Sequence, residues 1–273
     1  MSSTPQLPPI GRIEERTVVD LLAKGRRMDE RKLTDYRALE IETGIVQKAN
    51  GSAMVHLGKT KVLTGIKVEL GQPFPDTPNQ GVLTVNAELV PLASASFEPG
   101  PPSEAAIELA RVVDRGLRES KAIPLQALCI EPGKKVVIVF VDVYVLDHDG
   151  NLIDASAISA LAALLTSKMK RFELKEGEAR MTDEVAPLGI QNEPVAVTAA
   201  KIDGNMILDP CLDEELVMHS RLTVTSDHDG VICAMQKGGM GAFTDQEIRQ
   251  AVGTAIQKGK EIREIIRGAT AGK

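Results

Sequence analysis

The stretch Lys135-Val136-Val137-Ile138-Val139-Phe140-Val141-Asp142-Val143-Tyr144-Val145-Leu146 decides the fold, together with the Asp147-His148-Asp149-Gly150-Asn151 turn and the run from Asp154 to Lys170 that follow it. The first part is so nearly continuous in apolar residues that it predicts a strand buried on both faces. The run from Asp154 to Lys170 consists largely of Ala, Leu, Ile and Ser, and its small residues predict a helix packed closely on a sheet.

Upstream, a β pattern begins at Arg37. Leu39 and Ile41, the Asn50-Gly51 turn, Met54 and Val55, the Gly58-Lys59 turn and Val62 to Val68 read as an antiparallel meander, because Asn-Gly supplies the positive φ of a tight hairpin. Gly71 to Pro102 is rich in Pro and Gly, with a strand expected at Val82 to Val90. Ser103 can cap a helix running to about Ser120, with Ile107, Ala110, Val113 and Leu117 on one side and Arg111, Arg115 and Arg118 on another. Glu14 to Lys24 reads as a short amphipathic helix stopped by Gly25.

Downstream, Arg171 to Asn192 is charged and lacks a clean period, which marks it as a linker. A second meander follows: Val195 to Ile202, the Asp203-Gly204 turn, Met206 to Leu208, Leu216 to Thr225, the Asp229-Gly230 turn, and Val231 to Met235. Thr244 and Glu247 form a capping box for a last helix whose buried stripe is Ile248, Val252, Ala255, Gly259, Ile262 and Ile266. Strands followed by helix, twice over, make an α+β fold with an internal echo.

At 273 residues, 43% hydrophobic and 26% charged, the chain is long enough for two lobes and too apolar to be mostly disordered. Aromatic residues are 3% of it, with no Trp, so stacking on RNA bases is poorly supplied. A net charge of −6 means that a polyanion must be held by a local basic patch. Cys129, Cys211 and Cys233 suit reduced thiols rather than zinc ligands. Neither a signal peptide nor a run of about 18 apolar residues is present, so a cytoplasmic protein without membrane contact is expected.

Few residues offer chemistry. Asp147-His148-Asp149-Gly150-Asn151 with Asp154 resembles the start of a calcium loop, but Gly150 falls fourth rather than sixth and Ile158 twelfth where a Glu is required. An Asp-Gly turn and an Asp cap explain it without a metal, and Asp227-His228-Asp229-Gly230 supports that reading. Lys237-Gly238-Gly239-Met240-Gly241 precedes a helix and could cradle a phosphate, yet lacks the Gly-Lys-Ser/Thr ending of a nucleotide loop. His56, His148, His219 and His228 define no triad. The basic stripe carries the most weight. Arg111, Arg115 and Arg118 recur at spacings of four and three on one helix face, with Lys121 beyond, and such a row matches successive phosphates. The alternative is a solvated face on which Asp114 pairs with Arg118 and Glu108 with Arg111.

Several stretches across nearly the whole chain resemble the RNase PH family, and within it the non-catalytic RNase PH-like subunit of the archaeal exosome. They are Arg27-Met28-Asp29-Glu30-Arg31 through Tyr36-Arg37, Ala49-Asn50-Gly51-Ser52-Ala53, Gly58-Lys59-Thr60-Lys61-Val62-Leu63, Phe97-Glu98-Pro99-Gly100-Pro101-Pro102, Glu108-Leu109-Ala110-Arg111-Val112-Val113-Asp114-Arg115 and Val143-Tyr144-Val145-Leu146-Asp147. The resemblance implies an RNase PH-like (ribosomal protein S5 domain 2-like) fold of two βαβα-type halves of antiparallel and mixed sheet packed with helices. Its divisions fall at 1–30 for an N-terminal helix or arm, 31–171 for the first domain, 172–192 for the linker and 193–273 for the C-terminal domain.

It further implies assembly with a catalytic RNase PH-like partner into a hexameric ring of three heterodimers. That ring, with RNA-binding cap proteins, shortens single-stranded RNA from its 3′ end using phosphate; DNA is not expected as a partner. Active relatives carry Gly-Ser-Arg or Gly-Thr-Arg for phosphate at the start of the central helix, where this chain has Gly150-Asn151-Leu152. They also carry a catalytic Asp beyond a Leu-Asp corresponding to Leu208-Asp209; a gapless count reaches His219-Ser220-Arg221 instead, with Asp213, Glu214 and Glu215 nearby. Phosphorolysis needs a cation for the phosphate and a carboxylate for the leaving oxygen or its metal. The resemblance therefore implies no catalytic residue, metal or cofactor in this chain, with Arg111 and Arg115 binding RNA beside the partner's active site; the spacing of the stripe adds Arg118 as a third RNA-binding residue. An autonomous phosphorolytic exoribonuclease with a shifted acidic cluster, and a purely structural ring spacer, are the competing readings. Glu30, where the family often has Gly, is expected to affect only a surface turn.

Overall fold

The computed structural model describes residues 12–175 and 178–271. In the first half, the strands β1 (Leu39–Thr43), β2 (Gly51–Leu57) and β3 (Thr60–Gly71) form the expected antiparallel meander, followed by β4 (Val82–Leu89). The capped helix is α2 (Glu104–Glu119), and β5 (Cys129–Glu131) leads into the long strand β6 (Lys135–Asp147). Sheet order is β1-β2-β3-β6-β4, with β6 antiparallel to β3 and parallel to β4, so β6 is central in a mixed sheet.

Only one face of β6 is closed. Val137, Val139, Val141, Val143 and Val145 are buried, while the alternating Ile138, Phe140, Asp142 and Tyr144 are half-buried on the opposite face. The expected burial on both faces is therefore not met within the chain; an alternation masked by apolar residues on both sides governs instead.

The helix after the turn is α3 (Leu152–Leu165), which lies between this sheet and a second one. Its residues from Ala160 to Leu164 are almost completely buried, which explains why it reads as uniformly apolar and small rather than amphipathic. Close approach is enforced at Gly51, where a Cβ would lie 2.2 Å from Ser167 Oγ and 2.4 Å from the Ala163 carbonyl. Asn50-Gly51 is accordingly not a tight hairpin turn. Asn50 instead ties three strands together: its Nδ2 donates to the Lys168 carbonyl at 2.9 Å and its Oδ1 accepts from the Val68 N–H at 2.9 Å.

The helix ends before Lys170. The Ser167 hydroxyl donates back to the Ala163 carbonyl at 2.7 Å, and the Lys168 N–H is captured by the Asn50 carbonyl at 2.8 Å. The chain leaves in β7 (Lys168–Lys175), which pairs antiparallel with β8 (Glu178–Pro187). The aperiodic stretch read as a linker is thus largely a hairpin, with Phe172 packed on the core.

The second half holds β9 (Val195–Ile202), β10 (Asn205–Leu208), the short helix α4 (Leu212–Val217), β11 (Ser220–Ser226), β12 (Ile232–Gly239) and α5 (Asp245–Thr270). Its sheet runs β10-β9-β11-β12, all antiparallel. The expected strand from Leu216 begins only at Ser220, because Glu214 folds back to accept the Cys211 N–H at 2.8 Å and three acidic residues fill the first turn of α4. The capping box of α5 forms as read, and Ala255, Gly259, Ile262 and Ile266 of its stripe are buried. The N-terminal helix α1 (Arg12–Ala23) packs Val18 and Leu22 against Ala200, Ile202 and Ile207. One hydrophobic core runs through both halves, with α3 at its centre. The fold is α+β, as the alternation of strands and helices predicts.

Candidate functional site

Two places matter: the exposed face of α2 and the N-terminus of α3. On α2, Ser103 Oγ accepts the Ala106 N–H at 3.2 Å, and Ala106, Leu109, Val112, Val113, Gly116 and Leu117 are buried. Burial of that side fixes the rotation of the helix and turns Arg111, Arg115 and Arg118 outward, all exposed.

The three arginines are not equivalent. Arg118 is held by Asp114 at 2.6 and 3.1 Å and donates to the Leu83 carbonyl at 3.1 Å. Arg115 donates to Gln236 Oε1 at 3.2 Å, a neutral and solvent-exposed contact. Arg111 has no hydrogen bond or ion pair among the described residues, for Glu108 pairs with Arg221 of β11 at 2.8 Å rather than with Arg111. The expected Asp114–Arg118 pair is present and the Glu108–Arg111 pair is not. The stripe therefore offers two available guanidinium groups and one engaged with the chain itself.

At the N-terminus of α3, Gly150 takes φ +84° and lies so close to the second half that a Cβ there would meet the Cys211 carbonyl carbon at 2.5 Å. Asn151 follows with φ 51° and ψ 47°, and its side chain does not cap the helix. It points inward, and Nδ2 donates to Asp154 Oδ2 and to Asp209 Oδ1, both at 2.8 Å. The Asn151 N–H donates to Glu215 Oε1 at 2.8 Å. A carboxylate of the chain thus occupies the positive end of the helix, where an anion is favoured. Leu152 stands beside it without charge.

The surrounding charges neutralise one another. Asp209 accepts from the Arg37 N–H at 2.8 Å, Arg37 Nε at 2.9 Å, Arg37 Nη2 at 2.7 Å and Arg31 Nη1 at 3.0 Å. Arg27 donates from Nε to Glu214 Oε1 at 2.7 Å and from Nη2 to the second carboxylate oxygen, and it also binds the Leu208 carbonyl at 2.7 Å. The segment from Arg27 to Arg37 is consequently a strap that binds the second half through buried ion pairs. Glu30 within it adopts φ 65°, the left-handed conformation that glycine takes most easily.

Burial pushes Asp154 up to about 6 against the opposing hydrogen bonds of Tyr36, Asn151 and Thr198; the Tyr36 hydroxyl donates to it at 2.6 Å. Burial raises Glu215 to about 7, and the Asn151 N–H opposes this. For Asp209 burial acts upward too, but the hydrogen bonds and charge of Arg37 outweigh it and hold the carboxyl below its usual range. Burial pushes the Cys211 thiol up to about 12. Of the residues reached by the gapless count, Ser220 is buried in β11 and Arg221 faces Glu108. No group of three or more His, Cys, Asp or Glu among the described residues is placed to hold a metal ion. No helix among them is long and apolar enough to cross a membrane.

Sequence reading missed the inward-facing set of Arg37, Asp154, Asp209 and Glu215. Charged residues dispersed between Arg37 and Glu215 carry no periodic signal, and nothing local in the sequence shows that Arg37 pairs with Asp209.

The 3′ exoribonuclease (RNase PH) family matches the chain in two parts, domain 1 over residues 35–170 and domain 2 over 192–258. The chain belongs to this family. It is 56% identical over 251 residues to the exosome complex component Rrp42 of Pyrococcus horikoshii, covering 91% of this chain and 92% of that protein. A chain of the Archaeoglobus fulgidus exosome with RNA bound to the active site superimposes with a TM-score of 0.86 at 43% identity, covering 93% of this chain and 97% of the other. A chain of an archaeal exosome core gives a TM-score of 0.83 at 39% identity, with coverage of 94% and 97%.

Proposed function

We propose that this chain is a non-catalytic subunit of an exosome ring, guiding single-stranded RNA into the active site of a catalytic RNase PH-like partner for phosphate-dependent 3′-to-5′ degradation. The likeness over more than nine-tenths of the chain to Rrp42 and to chains of archaeal exosome structures supports the assembly. On this reading the ring is a hexamer of three heterodimers, carries RNA-binding cap proteins and works in the cytoplasm. The units 31–171 and 193–273 are its two RNase PH-like domains, joined through 172–192, after an N-terminal arm over 1–30.

The single observation that carries the non-catalytic role is the state of the α3 N-terminus. Leu152 provides no cation there, and Glu215 already accepts the Asn151 N–H at 2.8 Å. An incoming phosphate would meet a carboxylate of the chain in place of a guanidinium, and Asp209, held by Arg37 and Arg31, is not free to serve a leaving oxygen or a metal. On α2, by contrast, Arg111 and Arg115 are exposed and available. Phosphate contacts of this kind release counterions and make binding salt-dependent.

Replacing Arg111 and Arg115 by Ala in the complex assembled with the catalytic partner tests the guiding role. RNA affinity should fall about tenfold or more, and each lost contact should lower the slope of log affinity against log salt by ~0.7. An unchanged affinity would leave the chain as a spacer.

A further inference from the structure

Glu108 stands three residues before Arg111 on the exposed side of α2, a place where a carboxylate would repel the polyanion that Arg111 and Arg115 attract. Its partner is Arg221, whose Nη2 lies 2.8 Å from Glu108 Oε2. Arg221 is set into the seam between α2 and the second sheet. Gly238 of β12 is its register partner, and a Cβ at that position would come within 2.9 Å of Arg221 Nε. Glycine in the strand therefore leaves the space in which the guanidinium lies. Two residues further along β12, Gln236 meets Arg115. Arg111, Arg115 and Arg221 thus border one seam.

Arg221 also has unused capacity. Its Nε is shielded from solvent beside Gly238, and among the described residues the half-buried terminal nitrogens meet Glu108 alone, so only part of the donor fork is engaged. The side chain retains 21% exposure and that of Glu108 39%, which puts the ion pair at the edge of water. Pairs so exposed contribute little, because solvent screens them. A phosphate diester accepts the same planar fork and carries a permanent charge, so it can replace Glu108 without leaving Arg221 unpaired. Glu215, on the side of α4, is the other carboxylate that feels the Arg221 charge.

We propose that Arg221 is a further RNA-contacting cation of the α2 seam, and that Glu108 sets the strength of RNA binding by competing with the RNA backbone for it. The inference rests on the proposed role of α2 in RNA binding. When RNA enters, a phosphate takes the Arg221 guanidinium, and Glu108 turns out to water. Without RNA, the pair cancels a negative charge that would otherwise face Arg111.

The test measures anisotropy of a fluorescent oligo(A) RNA against salt, with the chain assembled with its catalytic partner. Glu108→Gln should bind several-fold tighter. Arg221→Gln should bind several-fold weaker, with a salt slope shallower by ~0.7, and should abolish the gain when combined with Glu108→Gln. Arg221→Lys retains the charge without the fork and controls for damage to β11; it should bind more tightly than Arg221→Gln and less tightly than the unaltered complex. Unchanged or weaker binding by Glu108→Gln, or unaltered binding by Arg221→Gln while Arg111→Ala still weakens it, would overturn the role of this pair. If Arg111→Ala also has no effect, the α2 reading fails, and this inference with it.

Discussion

Asp209 shows how much a single side chain organises. It is fully buried, has φ 49° and joins Arg31, Arg37 and Asn151, thereby linking the strap before β1 to the start of α3 and the end of β10. Removing one partner of a buried pair leaves the other charge uncompensated, which typically costs about 3–5 kcal/mol. Asp209→Ala should lower stability by that order in denaturant unfolding. Glu215 supplies a second expectation. Its folded pKa is raised to about 7 by burial, so the folded state holds a proton that the unfolded chain, near the ordinary glutamate value of 4.5, has released. Stability from this group is present at low pH and is lost as pH rises through about 7. Asp154, raised to about 6, acts in the same direction, whereas Asp209, held low, contributes above its unfolded pKa and loses that contribution only in acid. Melting temperatures followed from pH 5 to pH 8 should therefore decline less for Glu215→Gln than for the unaltered chain.

At the scale of elements, α2 and α3 perform different tasks because they bury different fractions of their surface. The helix α2 has one closed side, so its arginines reach solvent; α3 is enclosed by two sheets, and its one charged residue, Asp154, lies in its first turn. Within α2, Arg118 is fixed by Asp114 and the Leu83 carbonyl. Arg118→Ala should accordingly change RNA affinity less than twofold in the binding assay that detects loss of Arg111, since both Asp114 oxygens and the Leu83 carbonyl already take its donors. The separation between these elements and those the sequence disclosed is physical. Caps and turns are local, so Ser103, the Thr244–Glu247 box and Gly25 could be read directly. The exit of α3 into β7 was not legible, because it depends on Asn50 capturing the Lys168 N–H across more than 100 residues. Likewise α4 looks like the start of a strand until Glu214 is seen to reach Cys211 and Arg27. At the candidate site, the spacing of the arginines was visible, but which of them are available depends on Arg221, over 100 residues away.

For the whole molecule, a shared core means that the two halves have little freedom to open around the α3 N-terminus. The strap of Arg27, Arg31 and Arg37 closes that region further through Glu214 and Asp209. On the proposed reading, the exposed arginines of α2 supply the local positive charge that RNA binding needs against an overall charge of −6. The proposed division between a chain that binds and a partner that cleaves rests on this arrangement. Its most direct test is incubation of the purified chain alone with an oligo(A) RNA, inorganic phosphate and magnesium, with chromatography for nucleoside diphosphates. The account predicts intact RNA and no diphosphate from the chain by itself, with release once the catalytic partner is added; diphosphate formed by the chain alone would contradict it.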